Sequence, residues 1–317
     1  MYGPSHVILP ASADRPYRPS SQPTRRPPGA LHLTPEQLGV ARRHEISALG
    51  LTQWTMRGAL ERGELRRIAR GWTALPTADA AVVRALTAGY RLTCVDAARL
   101  HGLWIPEDTS PERHHLHVYR GGSGGSLPPR MKQHSPRGRS WPETDAVASL
   151  PLALAHSLRC CSGETSAILL ESAMQRGLLS PAEVQQILEA APAAVRSRIG
   201  TVSSASDSGS ETRVVRWLRR RKFHVEQQVH VEGVGFLDAY VGGLFLEIDG
   251  KEFHSGESAF GRDRRRDLHA IRHGLQVLRI SYDQVWHHWP ATQQNILRTI
   301  AEVGGFGRRK VAQLAAA

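Results

Sequence analysis

The chain has 317 residues, enough for two or three domains with sizeable cores. Hydrophobic residues make up 40% of it, yet no stretch approaches the roughly 18 consecutive apolar residues of a membrane-spanning helix, so the composition excludes a helical membrane protein and a soluble chain is expected. Lys and Arg number 41 against 29 Asp and Glu; the formal charge of +12 is the electrostatic footprint of a polyanion binder, nucleic acid above all.

Residues 1–30 are rich in Pro, Ser and Arg and hold no apolar core of the signal-peptide kind. Such a segment cannot bury enough surface to offset its ordering entropy, and a disordered basic arm is expected. From Thr34 the pattern turns helical. Thr34, Pro35 and Gln37 make a capping-box start, a short helix fits His44 to Leu49, and Thr52 caps TQWTMRGALERG, stopped by Gly63. In that third helix Trp54 with Ala59, and Met56 with Leu60, stand at helical spacing. ELRRIARGWTALP then reads as two short strands turning near Arg70 and Gly71. Three small helices followed by a basic hairpin describe a winged-helix domain over residues 31–78, with one helix laid in the major groove and the wing on the DNA backbone.

Residues 79–200 read as a mixed, mostly helical spacer. Helices are expected over Ala81–Ala88, over Thr93–Leu103 with Trp104 packing at its end, and in a hairpin whose second member is capped by Ser180 before Pro181. That hairpin is expected to bury Ile168, Leu169, Ala173, Val184, Ile187 and Leu188. HHLHVYR alternates as a strand; its histidines 114, 115 and 117 point to opposite sides in turn and read as surface residues rather than metal ligands. The loop GGSGGS lacks the Lys-Ser/Thr ending of a phosphate-binding loop. The cysteines are Cys94, Cys160 and Cys161; an adjacent pair in an odd total, with no C-x-x-C spacing for zinc, points to free thiols in a reducing cytosol. The spacer offers no chemistry at this stage.

TVSSASDSGS, residues 201–210, is a polar linker, and Ser210 is the expected cap of the helix ETRVVRWLRRRKF. Val214, Trp217 and Leu218 face inward there, while Arg216, Arg219, Arg220, Arg221 and Lys222 form a basic outer run. Glu211 in its first turn complements the helix dipole. After a first strand, VEQQVHV, the run GFLDAYVGGLFLEIDGKEFH organises the rest of the chain. Gly242 and Gly243 permit a tight hairpin turn, so Asp238 and Glu247 come to lie on paired strands. Carboxylates in so apolar a setting cost several kcal/mol unless compensated, and magnesium, which takes a few carboxylates plus water and phosphate oxygens, is the natural partner.

These residues resemble the PD-(D/E)xK nuclease superfamily, and the run from Glu211 to about Trp286 is similar to the DUF559 group, relatives of the very-short-patch repair endonucleases. The resemblance rests on SETRVVRWLRRRKF, QVHVEGVGFLDAYV, LEIDGKEFH and FGRDRRRDLHAIRHGLQVLRI. It implies an α/β fold over residues 211–303: a restriction-endonuclease-like mixed sheet flanked by helices, followed by a tail at 304–317. It implies an Mg2+- or Mn2+-dependent endodeoxyribonuclease with Asp238 and Glu247 as metal ligands, the Ile248 carbonyl as a third and Glu211 closing the site. Asp249 stands where the superfamily has lysine, which shifts the catalytic water to Lys251, His254 or a second metal at Asp249. His254 is the favoured general acid or base, because imidazole titrates near neutral pH. In a D-x-x-R-D match, Asp263, Arg266 and Asp267 open the next helix, with Arg266 facing the scissile phosphate and Arg262 beside it on the DNA. QVLRISY is the last strand, with Arg279 aimed at the site, and a closing helix from Gln284 to Val303 is broken by Pro290.

Residues 34–76 resemble the winged helix that opens AbiEi-type antitoxins, through Leu65, Arg67, Arg70 and Gly71. That resemblance implies Gln53, Thr55 and Arg57 facing DNA from the third helix, and Arg66, Arg67 and Arg70 on phosphates. The expected function is phosphodiester hydrolysis in DNA; the alternative is a non-catalytic, antitoxin-like DNA-binding regulator with a degenerate nuclease fold. Expected partners are DNA, a second copy of the chain, and a toxin or repair protein.

Overall fold

The computed structural model describes residues 32–48, 50, 52–107, 115–120, 126–135, 145–250 and 274–303. The chain is mixed α/β, with three small sheets among its helices, and divides into two compact units between Val202 and Ser203. Among the described residues no helix is long and apolar enough to cross a membrane.

The first unit opens with α1 (Pro35–Leu38), whose Thr34 and Gln37 form the expected capping box. β1 (Val40–Arg42), α2 (Arg43–Ala48), α3 (Gln53–Glu61), β2 (Arg66–Ala69) and β3 (Trp72–Ala74) follow. The strands make an antiparallel sheet in the order β1-β3-β2. Arg42 and Arg91 place their guanidinium groups 4.7 and 5.0 Å from the Trp72 ring centre, a cation–π arrangement that covers the tryptophan. Trp54 corrects the amphipathic reading of α3: it is 82% exposed, and only Met56, Gly58, Ala59 and Leu60 of that helix are even half-buried.

Next come α4 (Ala80–Thr87), β4 (Tyr90–Leu92), α5 (Cys94–Leu100), β5 (Leu116–Arg120) and β6 (Met131–His134). Their sheet runs β4-β5-β6, with β4 antiparallel and β6 parallel to β5. Strands of three or four residues show too little alternation to be read from sequence, which is why β1, β4 and β6 were not expected. Leu38, Trp72 and Ala74 share one core with Val82, Leu86, Tyr90 and Val118, so the packing runs unbroken across position 78. A second core gathers α5 with α6 (Leu150–Cys160), α7 (Gly163–Gln175), α8 (Pro181–Glu189) and α9 (Ala193–Ile199). Gly163 begins α7 against the Arg198 carbonyl, a space that admits no Cβ.

The second unit carries α10 (Gly209–Arg220), β7 (Glu226–Val231), β8 (Gly235–Val241), β9 (Leu244–Ile248), β10 (Val277–Ile280), α11 (Tyr282–Trp286) and α12 (Trp289–Val303). Its sheet runs β10-β9-β8-β7; β7, β8 and β9 form an antiparallel meander and β10 lies parallel to β9. Gly242 and Gly243, at φ 58° and 94°, make the expected hairpin turn, a conformation without steric penalty only for glycine. Three details depart from the sequence reading. Ser208, not Ser210, caps α10, and Ser210 instead accepts a 3.1 Å hydrogen bond from the Trp286 indole. Arg216 is buried rather than on an outer face. The final helix breaks at His287 and His288, and Pro290 sits in the first turn of α12, where its missing N–H is harmless.

Val214, Val215 and Leu218 of α10 pack on Ala239, Val241, Leu246 and Ile248, with Ile296 and Ile300 of α12 completing the core. Leu246 is fully buried on a central strand. Leu246→Ala is expected to cost about 2–5 kcal/mol of unfolding free energy, read as a lowered urea midpoint for the transition of this unit.

Candidate functional site

The register of the second sheet decides what its polar residues can meet. β8 and β9 pair only from Ala239 opposite Leu246 to Val241 opposite Leu244, although β8 begins at Gly235 and β9 ends at Ile248. Beyond that last pair the strands part company. β8 continues against β7 alone, and β9 continues against β10, with the Asp249 N–H donating to the Ile280 carbonyl at 2.9 Å. Asp238 and Glu247 are the first residues past the pairing, one on each arm of the fork.

Alternation sets their face. Tyr240 and Phe245 are paired, with ring centres 4.7 Å apart, and Asp238 and Glu247 lie one step of two residues further along the same side. Extending the registers puts Gln228, Asp238, Glu247 and Arg279 in one row across all four strands. The Asp238 carboxylate accepts a 2.7 Å hydrogen bond from the Ile248 N–H, closing the fork with a side chain where the ladder has ended. Arg279 reaches Glu247 from β10 at 2.9 Å, so a cation stands beside this carboxylate. The pair is partly exposed, and a pair of that kind is worth under about 1 kcal/mol; Glu247 is held but not locked.

Glu211 adds a third carboxyl from α10. It is buried, its Oε2 accepting from the Asp207 N–H at 2.8 Å and the Gln228 side-chain amide at 3.3 Å. Burial first, then the neighbouring Asp238 charge, pushes its pKa well above the carboxylate range. A dipole partner on an exposed first turn would show neither effect. Gln228 was not anticipated as a site residue. It lies at φ 53°, in the left-handed region that non-glycine residues seldom occupy, between Gln227 and Val229, whose partners Ala239 and Leu237 flank Asp238; backbone held this way clusters at functional sites. The doublet Gln227-Gln228 inside VEQQVHV, two polar residues in succession on a strand, was its only trace in the sequence.

Gln53, Thr55, Arg57, Arg66, Arg67 and Arg70 are all exposed on α3, β2 and the turn after it. Lys251, His254, Arg262 and Arg266, together with the expected helix that follows Glu247's strand, lie outside the described residues.

A second constellation lies where no chemistry was expected. Cys94, His117, His134 and Cys160 bring one donor atom each to within 4.8 Å of the others, and among the described residues the acidic side chains form no such group. His117 is buried, which overturns its reading as a surface histidine; His115 is exposed. Comparison with protein-family models and with curated proteins gives no match for this chain.

The Glu211 shift has a pH consequence. A folded-state pKa above the ordinary 4.5 means the folded chain binds more protons than the unfolded one as pH rises past that value. The associated stability is present below it and declines towards the folded pKa. Glu211→Gln keeps an acceptor for Asp207 while removing the charge. Urea midpoints are therefore expected to coincide with wild type near about pH 4 and to exceed it near about pH 8.

Proposed function

We propose that the chain is a DNA-processing protein whose second unit is a restriction-endonuclease-like phosphodiester hydrolase and whose residues 31–78 form a winged helix. The observation that carries the hydrolase reading is the fork at Asp238 and Glu247, with the buried Glu211 behind it. The nuclease resemblance implies the order helix, three strands, helix, strand; the described residues supply the first helix, a three-stranded meander and a parallel fourth strand, and the carboxylates stand where two central strands diverge. The order α1-β1-α2-α3-β2-β3, with β3 between β1 and β2, supports the winged helix, and the exposed Arg66, Arg67 and Arg70 suit a wing on phosphates.

Oxygen donors are the kind a hard divalent ion such as Mg2+ or Mn2+ takes, although the three carboxyls do not gather into a metal-binding group as they stand, and binding requires them to draw together. Burial first and the Asp238 charge second raise the Glu211 pKa, and a cation bound there would offset both. Asp238 and Glu247 would hold it, with Glu211 supporting. Bound there, the ion would polarise the phosphodiester and lower the pKa of the attacking water. Asp238 keeps its orientation through the Ile248 N–H, and Arg279 is placed to meet phosphate once Glu247 turns to the metal.

A second reading, DNA binding without hydrolysis by an antitoxin-like regulator, is favoured by the Glu247–Arg279 pair, which satisfies Glu247 with no ion at all. Incubation of the full chain with supercoiled plasmid and Mg2+ or Mn2+ separates the two. On the hydrolase reading, Asp238→Ala and Glu247→Ala each slow nicking by roughly 10²–10³-fold, the scale of a lost electrostatic partner in the transition state. Equal nicking by wild type and both variants removes that reading. In salt titrations of DNA affinity, Arg66→Ala and Arg67→Ala are each expected to weaken binding to all sequences alike and to reduce the slope by about 1.

A further inference from the structure

The cysteine–histidine cluster of the first unit is built from four separate segments. Cys94 is the first residue of α5, His117 the second of β5, His134 the last of β6 and Cys160 the last of α6. The β5–β6 register sets Tyr119 opposite His134, so His134 shares a face with His117. His117 Nδ1 lies 3.0 Å from His134 Nε2 and 3.5 Å from Cys160 Sγ. A tetrahedral zinc site, with metal–nitrogen bonds near 2.05 Å and metal–sulfur bonds near 2.3 Å, requires edges of roughly 3.3 Å between nitrogens and roughly 3.6 Å between nitrogen and sulfur. The observed edges fall within a few tenths of an ångström of both.

The surroundings hold these side chains in place. The backbone of His117 is fixed on both sides, its N–H donating to Asp96 Oδ2 at 2.7 Å and its carbonyl accepting from the Thr93 N–H at 3.0 Å. The His134 ring stacks on His156 at 5.0 Å, and His156 is itself bonded to Thr93 Oγ1 at 2.6 Å. Cys94 stands at φ 56°, a left-handed conformation that costs a non-glycine residue about 1–2 kcal/mol, and it is fully buried. Strain at a buried cysteine whose sulfur faces two imidazoles is a feature to be explained by what those sulfur and nitrogen atoms hold.

We propose that Cys94, His117, His134 and Cys160 form a structural zinc site that staples α5, β5, β6 and α6. Two thiolates and two neutral imidazoles are a borderline-soft set that selects zinc over magnesium. Three of the four ligands are buried, so the coordination is closed and leaves no position for substrate. Cys161 is the spare thiol, 3.8 Å from Cys94 and far beyond a disulfide bond length. The site belongs to the first unit and stands independently of the hydrolase reading.

The test uses the full chain, purified without chelator and assayed for metal by mass spectrometry. About one zinc per chain is expected, and exchange for Co2+ should give the visible bands of tetrahedral cobalt with thiolate charge transfer in the near ultraviolet. Cys160→Ser, at the least buried ligand, is expected to weaken zinc binding by more than about 10-fold and to shift the charge-transfer band, whereas Cys161→Ser leaves both unchanged. Chelation should lower the unfolding midpoint of wild type but not of a Cys94→Ser chain that still folds. A folded, metal-free wild type with no tetrahedral cobalt spectrum overturns the proposal. So does a Cys94–Cys161 disulfide trapped by rapid alkylation at harvest.

Discussion

The register of one hairpin governs the second unit. Gly242 and Gly243 fix a tight turn, the turn fixes Tyr240 against Phe245, and a slip of one residue would send Asp238 and Glu247 to opposite faces of the sheet. Because pairing stops at Ala239 and Leu246, the two carboxylates stand at a fork rather than within a ladder. The Ile248 N–H, left without a strand partner there, becomes a donor that orients Asp238.

The two constellations differ in chemistry as well as in place. At the fork the donors are oxygens, charge is crowded and one carboxyl is forced towards its protonated form by burial and by Asp238. An arginine on the neighbouring strand sets a cation beside Glu247, and a guanidinium stays charged and cannot act as a base. In the first unit the donors are sulfur and nitrogen, mostly buried, with hydrogen bonds fixing the backbone of His117 from both sides. Hard ions suit the first set and zinc the second.

The helix caps, the glycine turn, the meander and the exposed basic hairpin were legible in the chain, because each depends on contacts within a few residues. Thr34 and Ser180 cap where the capping-box pattern places them, and Ser281 with Gln284 adds another of the same kind. Local signals failed where neighbours competed. Ser208 and Ser210 are both plausible caps, and the choice fell to Ser208 because Ser210 is drawn to Trp286. Trp54 fits an apolar helical face by spacing, yet α3 offers that position no core to enter.

What the sequence determined by itself was the hairpin that carries Asp238 and Glu247 on adjacent strands, since two glycines at a fixed distance leave one favourable register, and the exposure of the basic residues between Arg66 and Arg70. What only the tertiary structure decided were contacts between distant segments. Glu211 meets Gln228, Arg279 crosses to Glu247, and Cys94, His117, His134 and Cys160 converge from four elements. No spacing rule anticipates that last group, because its ligands are brought together by the packing of α5 and α6 against a sheet of which only β5 shows a readable alternation.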